Sequence, residues 1–306
     1  MRQTTARLLQ SFRPLYHENP LGLPRSGTPP TWAKRPQRRK ITGVEKVIAV
    51  SSAKGVRGRS NATVFTQFNV NEAANLSLAF ARLGFRAGIL DTDIFGPSIP
   101  TLFDLSGEPR LSKNNQLVPL TNYGVKTMSM GYLVGENAPV VWRGPMVMKA
   151  IQQLLHEVDW GGLDILVLDL PPGTGDTQLT ITQQVILDGS IIVTTPHTLA
   201  TKDAVKGINM FKAVDVNILG LVQNMSLFVC PHCHGETNVF GSNERVERLC
   251  KDHEICFLGD IPLHPNIGDD AERGKPTVVA EPSSERASAF LRVADKILPK
   301  VGLERN

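Results

Sequence analysis

The feature that most constrains the fold is a regular alternation of short apolar runs with longer amphipathic segments, which begins near Lys46. The apolar runs are rich in Val, Ile and Leu, as strands buried on both faces tend to be. Strands that alternate with helices predict an α/β fold, a mostly parallel, doubly wound sheet with helices on both faces. The predicted strands are 47–51, 87–90, 125–130, 165–170, 191–195, 218–222 and 255–258, and the predicted helices include 74–83, 146–158, 179–185, 200–211 and 284–298.

Composition narrows the class of protein. The chain has 306 residues, 41% hydrophobic and 20% charged, which is enough apolar material for one sizeable globular core. Its longest apolar runs, such as 165–168, fall far short of the roughly 18 to 20 residues that span a bilayer. The net charge of +4 comes from the first forty residues, and the remainder lacks a basic surface pattern. We therefore expect no nucleic-acid partner and no stable membrane insertion.

The first 43 residues are predicted to stand apart from the domain. They are rich in Arg and hydroxyl residues, with no acid before Glu18, and Leu8, Leu9, Phe12 and Leu15 would lie on one side of a helix. This pattern is typical of a mitochondrial presequence and predicts the mitochondrial matrix, with a plain basic tail as the alternative. Several prolines between 18 and 43 favour a linker. The predicted boundaries are 1–43 for presequence and linker and 44–302 for the domain.

A phosphate-binding loop is predicted directly after the first strand, at residues 53–60. Such loops join a strand to a helix, and their glycines let backbone N–H groups converge on an anion at the helix N-terminus. Gly55 and Gly58 are the glycines here, with Lys54 before them and Ser60 after them. The pattern favours a phosphate site, and a loop that no longer holds phosphate is the alternative.

This loop resembles the deviant Walker A loop of the Mrp-like P-loop NTPases, in which a signature lysine precedes a Gly-Gly-x-Gly-Lys-Ser/Thr core. The resemblance implies a MinD/ParA-like P-loop NTPase architecture, binding of ATP and Mg²⁺, and weak ATP hydrolysis in which Lys54 takes part. The residues in the matching positions are Lys54, Gly55, Gly58, Arg59 and Ser60.

The chain departs from that family pattern in and after the loop. Val56 replaces the second glycine, Arg59 the core lysine and Asn61 the following threonine. A planar guanidinium is not equivalent to a compact ammonium at a tightly fitted site, so nucleotide binding is in question. Residues 62–72 form an apparent insertion of poor helix formers. A translated intron at 56–72 would explain both departures, a hypothesis that the transcript sequence tests directly.

Carboxylates are predicted at the ends of two strands. Asp91 and Asp93 follow one apolar run, and Asp169 ends another just before a Pro-Pro-Gly segment. The carboxyl ends of parallel strands border the ligand crevice of an open α/β sheet, where carboxylates can hold Mg²⁺ or orient a water molecule. The family resemblance assigns Asp93 to switch I, Asp169 to Walker B and Asn224 to adenine binding. An ordinary turn or cap is the alternative for a single terminal Asp.

Two cysteines in a C-x-x-C arrangement are the predicted metal ligands. Cys230 and Cys233 lie on a loop after the sixth strand, whereas Cys250 and Cys256 lack this spacing and are expected in the core. A four-iron cluster takes four thiolates, so one chain supplies half of them and a twofold dimer would complete the set. A zinc site, a redox disulfide and cysteines without a task are the alternatives.

The family resemblance, which extends over most of the domain, unites these features. It implies a 4Fe-4S cluster shared between two subunits of a homodimer and passed to apo iron-sulfur proteins, with ATP binding or hydrolysis as the gate. Within the family, the presequence and the single C-x-x-C resemble the mitochondrial members that serve respiratory complex I (NADH dehydrogenase). The alternatives are a pseudo-ATPase scaffold and a MinD/ParA-like positioning ATPase.

Overall fold

The computed structural model describes residues 38–52, 62–93, 96–133, 144–173, 175–230 and 232–305. Two predictions from the sequence lie outside these residues. They are the presequence, within residues 1–37, and the phosphate loop with Lys54, Gly55, Val56, Gly58, Arg59, Ser60 and Asn61.

The described strands form a single, mostly parallel sheet. Its parallel order is β4-β2-β5-β1-β6-β7-β9, with β3 antiparallel to β4 and β8 antiparallel to the end of β7. The predicted parallel sheet is therefore confirmed. The strands are β1 (Val44–Ser52), β2 (Ala87–Asp91), β3 (Leu120–Asn122), β4 (Val125–Ser129), β5 (Leu163–Asp169), β6 (Gly189–Thr194), β7 (Ile218–Val229), β8 (Glu236–Thr237) and β9 (Phe257–Leu263).

Helices connect the strands and cover the sheet. Among the described residues, no helix is both long enough and apolar enough to cross a membrane. The helices are α1 (Ala62–Arg82), α2 (Ile99–Leu102), α3 (Gly144–His156), α4 (Asp176–Gln184), α5 (Thr198–Ala213), α6 (Glu244–His253), α7 (Pro265–Glu272), α8 (Thr277–Ala280) and α9 (Glu285–Ile297), with short 3-10 turns at Met130–Tyr132 and Leu298–Val301.

Burial along the central strands shows that both faces of the sheet are covered. Consecutive residues of β1 from Val47 to Ser52 are all buried, as are all residues of β2 and β6. Successive side chains of a strand point to opposite faces, so unbroken burial requires packing on each side. Helices α1 and α9 pack against each other, and α5 packs against β6. Ile41, ahead of the predicted boundary at residue 44, also lies in the core.

Helix α1 begins at Ala62, so the prediction of a helix starting at residue 74 was wrong. Low helix propensity is a weak preference that burial overrides, and residues 71–80 are all buried. Two buried amides attach the helix to the C-terminal region. Asn71 donates to the carbonyl of Ile267 over 3.3 Å, and Asn75 accepts from the N–H of Val278 over 2.9 Å.

Gly274→Ala is expected to destabilise the domain by about 2 to 4 kcal/mol. Gly274 has a φ of +69°, and an added Cβ would lie 2.6 Å from Cβ and 3.1 Å from Cα of Asp104. The left-handed backbone costs a non-glycine residue about 1 to 2 kcal/mol, and the clash adds overpacking strain. Urea unfolding would measure the loss. Gly84→Ala is the matched control, because Gly84 has a φ of +96° with no atom within 4 Å, so it should show the backbone cost alone.

Candidate functional site

Two carboxylates meet where β2 and β5 end. Asp91 and Asp169 are the last residues of these strands and are register partners in the parallel pair. Strand β1, which leads into residues 53–61, pairs with the other side of β5. The structure therefore brings the strand-end acids together beside the strand that precedes the predicted phosphate loop, at the carboxyl edge where open α/β sheets bind ligands.

Asp91 holds the segment that follows β2. Its carboxylate accepts hydrogen bonds from the backbone N–H of Asp93 over 2.9 Å, the N–H of Ser98 over 3.2 Å and the hydroxyl of Ser129 over 3.0 Å. Asp93, the predicted switch I residue, is only partly buried. In this state Asp91 is therefore a positioning residue, and Asp93 is the more accessible carboxylate of the two.

Three buried acids share this edge of the sheet. Burial raises the pKa of Glu72 to about 8 and that of Asp91 to about 7. The pKa of Asp169 is raised well above its ordinary value, first by burial and then by the negative charges of Asp91, Asp93 and Glu72. One carboxylate oxygen of Asp169 is buried with no hydrogen-bond partner. The mutual repulsion of these acids therefore favours their protonated forms.

Asn224, the predicted adenine-binding residue, contacts a neighbour within the protein. It lies within β7 and is only 6% exposed. Its side-chain N–H₂ donates to Glu72 of α1, and its side-chain oxygen accepts from the N–H of Met225 over 2.7 Å. One N–H and one oxygen lone pair of the amide are thus engaged inside the protein, which leaves its second N–H and second lone pair for another partner.

The cysteine pair lies on an exposed turn between β7 and β8. Cys233 is exposed and Cys230 is partly exposed. The N–H of Cys230 donates to the carbonyl of Gly235 over 3.0 Å, and the N–H of His234 donates to the carbonyl of Cys230 over 2.9 Å. The pKa of the Cys230 thiol is lowered, first by the N–H of Cys233 and then by that of His232. The turn therefore stabilises a thiolate, the form of cysteine that binds metals.

Strand β7 links the cysteine turn to Asn224. The ladder between β7 and β9 shifts register between Asn224 and Phe228, and Met225 has a φ of +54°. Such irregularities bend a strand and redirect its side chains. Beyond this irregularity, Val229 is 38% exposed and Val239, after β8, is 54% exposed. Apolar side chains thus flank the cysteine turn on the surface.

The other two cysteines differ from each other. Cys250 is buried, as predicted, and burial raises the pKa of its thiol to about 11. Cys256 is exposed, so the prediction of a core position was wrong for this residue. It lies in the short connection between α6 and β9, where the neighbouring Ile255 is the buried residue. Within the described residues, no three His, Cys, Asp or Glu side chains are grouped to hold a metal ion.

Glu72 is the site residue that sequence reasoning missed. It was placed in the apparent insertion, yet it is 5% exposed and has one carboxylate oxygen without a partner. The available signal was a lone acid among the small residues Ala73 and Ala74 on a helix that must face the sheet. A charged residue on a buried helix face is rare unless it is paired, so it identifies a position of interest.

A central parallel sheet with acids at its strand ends is the architecture of the MinD/ParA-type P-loop NTPases, to which the solved structures below belong in fold. A solved nucleotide-binding protein from Archaeoglobus fulgidus, in complex with ADP, matches with a TM-score of 0.66 and 32% identity over 82% of this chain and 94% of its own. The cell division ATPase MinD of Pyrococcus furiosus matches with a TM-score of 0.58 over 82% of this chain and 98% of its own. At 19% identity, that likeness shows the fold alone.

Sequence comparison identifies the family. The family model of the NUBPL iron-transfer P-loop NTPases matches residues 43–298. The iron-sulfur cluster transfer protein NUBPL of Dictyostelium discoideum is 46% identical over 89% of this chain and 82% of its own length. A protein of Arabidopsis thaliana, named as the mitochondrial iron-sulfur protein required for NADH dehydrogenase, is 43% identical over 84% of this chain and 80% of its own. The chain belongs to the NUBPL iron-transfer P-loop NTPase family.

Proposed function

We propose that this protein carries a 4Fe-4S cluster between two identical subunits and transfers it to apo iron-sulfur proteins in the mitochondrial matrix. The observation that carries the proposal is the surface turn between β7 and β8, closed by the Cys230–Gly235 and His234–Cys230 backbone hydrogen bonds, which presents Cys230 and Cys233 together at the surface. The cluster is the cargo, so the site must bind it and also release it. An exposed turn suits release better than a buried cage would.

The ligand count supports a shared cluster. A 4Fe-4S cluster is held by four thiolates, and the turn offers Cys230 and Cys233. Two turns that meet about a twofold axis supply four, and closed twofold symmetry is the commonest way in which identical chains pair. Val229 and Val239, exposed on either side of the turn, would be buried by such a contact. Apolar surface of this kind is typical of the centre of a subunit interface.

The recipients and the compartment are proposed from relatives and from the N-terminal pattern. Relatives are named for iron-sulfur cluster transfer and for a requirement by mitochondrial NADH dehydrogenase. We infer that apo subunits of respiratory complex I are among the recipients. The Arg-rich segment with no acid before Glu18 supports import into the mitochondrial matrix.

ATP and Mg²⁺ are the proposed gate for cluster release, with weak ATP hydrolysis. Mg²⁺ is usually bound by one or two carboxylates together with substrate phosphates, and Asp93 and Asp169 would be those carboxylates. Lys54, Gly55, Gly58, Arg59 and Ser60 would hold the phosphates. Asn224 and Cys230 belong to one continuous chain segment along β7, so a change at Asn224 could reach the cysteine turn through the irregularity at Met225.

A second candidate is a pseudo-ATPase scaffold that keeps the cluster and has lost nucleotide chemistry. The contact between Asn224 and Glu72 supports it, because one donor of the amide proposed to bind adenine is used within the protein. A positioning ATPase that anchors to a membrane through its C-terminus has less support. The apolar residues of α9, including Phe290 and Val293, pack in the core, and Arg292 pairs with Glu285.

Anaerobic reconstitution with iron and sulfide tests the carrier function. The purified protein is expected to show broad sulfur-to-iron absorption, to bind about two irons per chain, and to change from monomer to dimer as the cluster assembles. Light scattering and metal analysis on the same sample measure both properties. Colourless protein that holds one zinc per chain, or no metal, would contradict the proposal and leave a structural metal site.

Titration with ATP and Mg²⁺ separates the two candidates. For the gated carrier, the cluster-loaded protein is expected to bind ATP with a Kd in the micromolar range, about −8 kcal/mol, and to transfer its cluster to an apo acceptor at a rate that ATP changes. Calorimetry and acceptor absorption measure these quantities. A cluster-loaded dimer with no detectable heat of ATP binding and an unchanged transfer rate would instead identify the scaffold.

A further inference from the structure

Residues 38–41, here called the strap, are attached to the domain although they were predicted as linker. The N–H of Arg39 donates to the carbonyl of Gln184 over 2.8 Å, and the carbonyl of Arg39 accepts from the N–H of Ile186 over 3.0 Å. These two bonds bracket Val185 and form a parallel bridge. A backbone with both polar groups paired to another segment is part of the fold.

Side chains on both sides of Arg39 add to this attachment. Ile41 is 3% exposed and belongs to the hydrophobic core. The guanidinium of Arg38 donates to the carbonyl of Val214 and, over 3.5 Å, to that of Asp215. These carbonyls lie at the C-terminal end of α5, where the unpaired carbonyls of a helix carry partial negative charge. Arg38 therefore acts as a cap for α5.

The strap joins the ends of three helices. Gln184 is the last residue of α4, and the carbonyls that Arg38 contacts follow α5. Arg39 is also near α3, since its charge is the second cause, after burial, of the lowered pKa of His156. Helix α4 follows the segment that contains Asp169 and the Pro-Pro-Gly turn. The strap therefore restrains the C-terminal end of α4, the helix that follows Asp169 in the chain.

We propose that the strap belongs to the mature domain, so that presequence removal cuts the chain N-terminal to Arg38. The inference rests on the proposed presequence, and it assigns the basic residues from Arg38 onwards to the folded protein. Processing is the hydrolysis of one peptide bond, in which one water molecule is consumed and a new amino terminus is left at or before Arg38. A cut at any later position would remove the α5 cap, the bridge to Val185 or the core residue Ile41.

Limited proteolysis of the full chain tests the structural half of this inference. Trypsin cuts after Lys and Arg, so the strap contains three potential sites, after Arg38, Arg39 and Lys40. Cleavage needs a locally open segment, and the paired backbone of Arg39 opposes opening. We expect these bonds to be cut at least about a hundredfold more slowly in the native chain than after heat denaturation. Early accumulation of a fragment that starts at Arg39, Lys40 or Ile41 would overturn the proposal.

Matched variants extend this test. Ile41→Ala should speed cleavage within the strap roughly tenfold or more, because a core contact is lost. Thr42→Ala, an exposed neighbour, should leave the rate unchanged. Arg38→Ala keeps the core intact and should also speed cleavage after Arg39 and Lys40, the two sites that all the variants retain, which covers the case in which Ile41→Ala fails to fold. Equal rates in Arg38→Ala, Thr42→Ala and the unchanged chain would count against the strap.

Import of the full chain into isolated mitochondria tests the processing half. Mass spectrometry of the imported protein should find its first residue at or before Arg38, and a first residue beyond Arg38 would overturn the inference. A chain that is imported and not cut, or not imported at all, would refute the presequence instead, and with it the processing step. Cluster reconstitution uses purified protein and does not depend on the proteolysis or import results. The carrier function is therefore tested separately from the strap.

Discussion

Replacing Cys230 and Cys233 together with serine is expected to abolish cluster binding and leave the domain folded. Serine is close to cysteine in size, but its hydroxyl does not form the thiolate that iron requires. Both residues lie on a surface turn, so little packing is lost. Iron content after anaerobic reconstitution should fall from about two per chain to nearly zero, sulfur-to-iron absorption should disappear, and the protein should stay monomeric.

Cys256→Ser provides the matched control for this experiment. Cys256 is also exposed, but it lies before β9 and outside the C-x-x-C turn. This variant should bind the cluster and form the dimer as the unchanged protein does. Iron binding that survives in the double variant would show that these thiols are not the ligands. Loss of iron binding in Cys256→Ser would show that the ligand set extends beyond the turn.

The parallel sheet could be predicted because its signal is local and repeated. Strands such as β5 and β6 are unbroken apolar runs, and the helices between them have their own periodicity. The antiparallel strands β3 and β8 were not predicted. They are three and two residues long, and Leu120 is their single apolar residue, so no run of apolar residues reveals them. Short edge strands depend on pairing with a neighbour, which a single segment does not encode.

The sequence predicted those site residues that lie at the ends of strands. Asp91 and Asp169 each follow a buried run, so the topology alone brings them together. The contact of Asn224 with Glu72 joins positions that are far apart in sequence, and no local pattern indicates it. In the connection between α6 and β9, Ile255 is buried and Cys256 is exposed, a choice that residue type does not reveal. Pairings of this kind emerge from tertiary packing.

Glu72 has the largest expected effect on stability. Its carboxyl is buried and accepts a hydrogen bond from Asn224, with a second oxygen unpaired. Burial penalises the charged form and raises the pKa from its ordinary value of 4.5 to about 8. An acid whose pKa is raised by folding stabilises the native state fully at a pH below its unfolded pKa. That contribution declines as the pH rises from about 4.5 and is lost by about 8.

Glu72→Gln is therefore expected to remove a pH dependence of the order of 5 kcal/mol in the free energy of unfolding. Glutamine keeps the shape and the oxygen that accepts from Asn224, and it cannot ionise. The variant and the unchanged protein should have similar stability near pH 5. Near pH 9 the variant should be several kcal/mol more stable, because the unchanged protein must bury a carboxylate or open around it. Urea unfolding at a series of pH values measures the difference.

Glu108→Gln is the control, since Glu108 is an exposed acid on the surface. Its difference from the unchanged protein gives the baseline for the loss of one surface carboxylate. Asp91 and Asp169 also have raised pKa values, and part of the shift of Asp169 comes from the charge of Glu72, so the Glu72→Gln difference includes that coupling. If the difference in the free energy of unfolding between Glu72→Gln and the unchanged protein does not vary with pH, Glu72 is ionised in the folded state. The cluster of acids would then need a cation to hold it together at neutral pH, and the stabilising effect of added Mg²⁺ would measure that need.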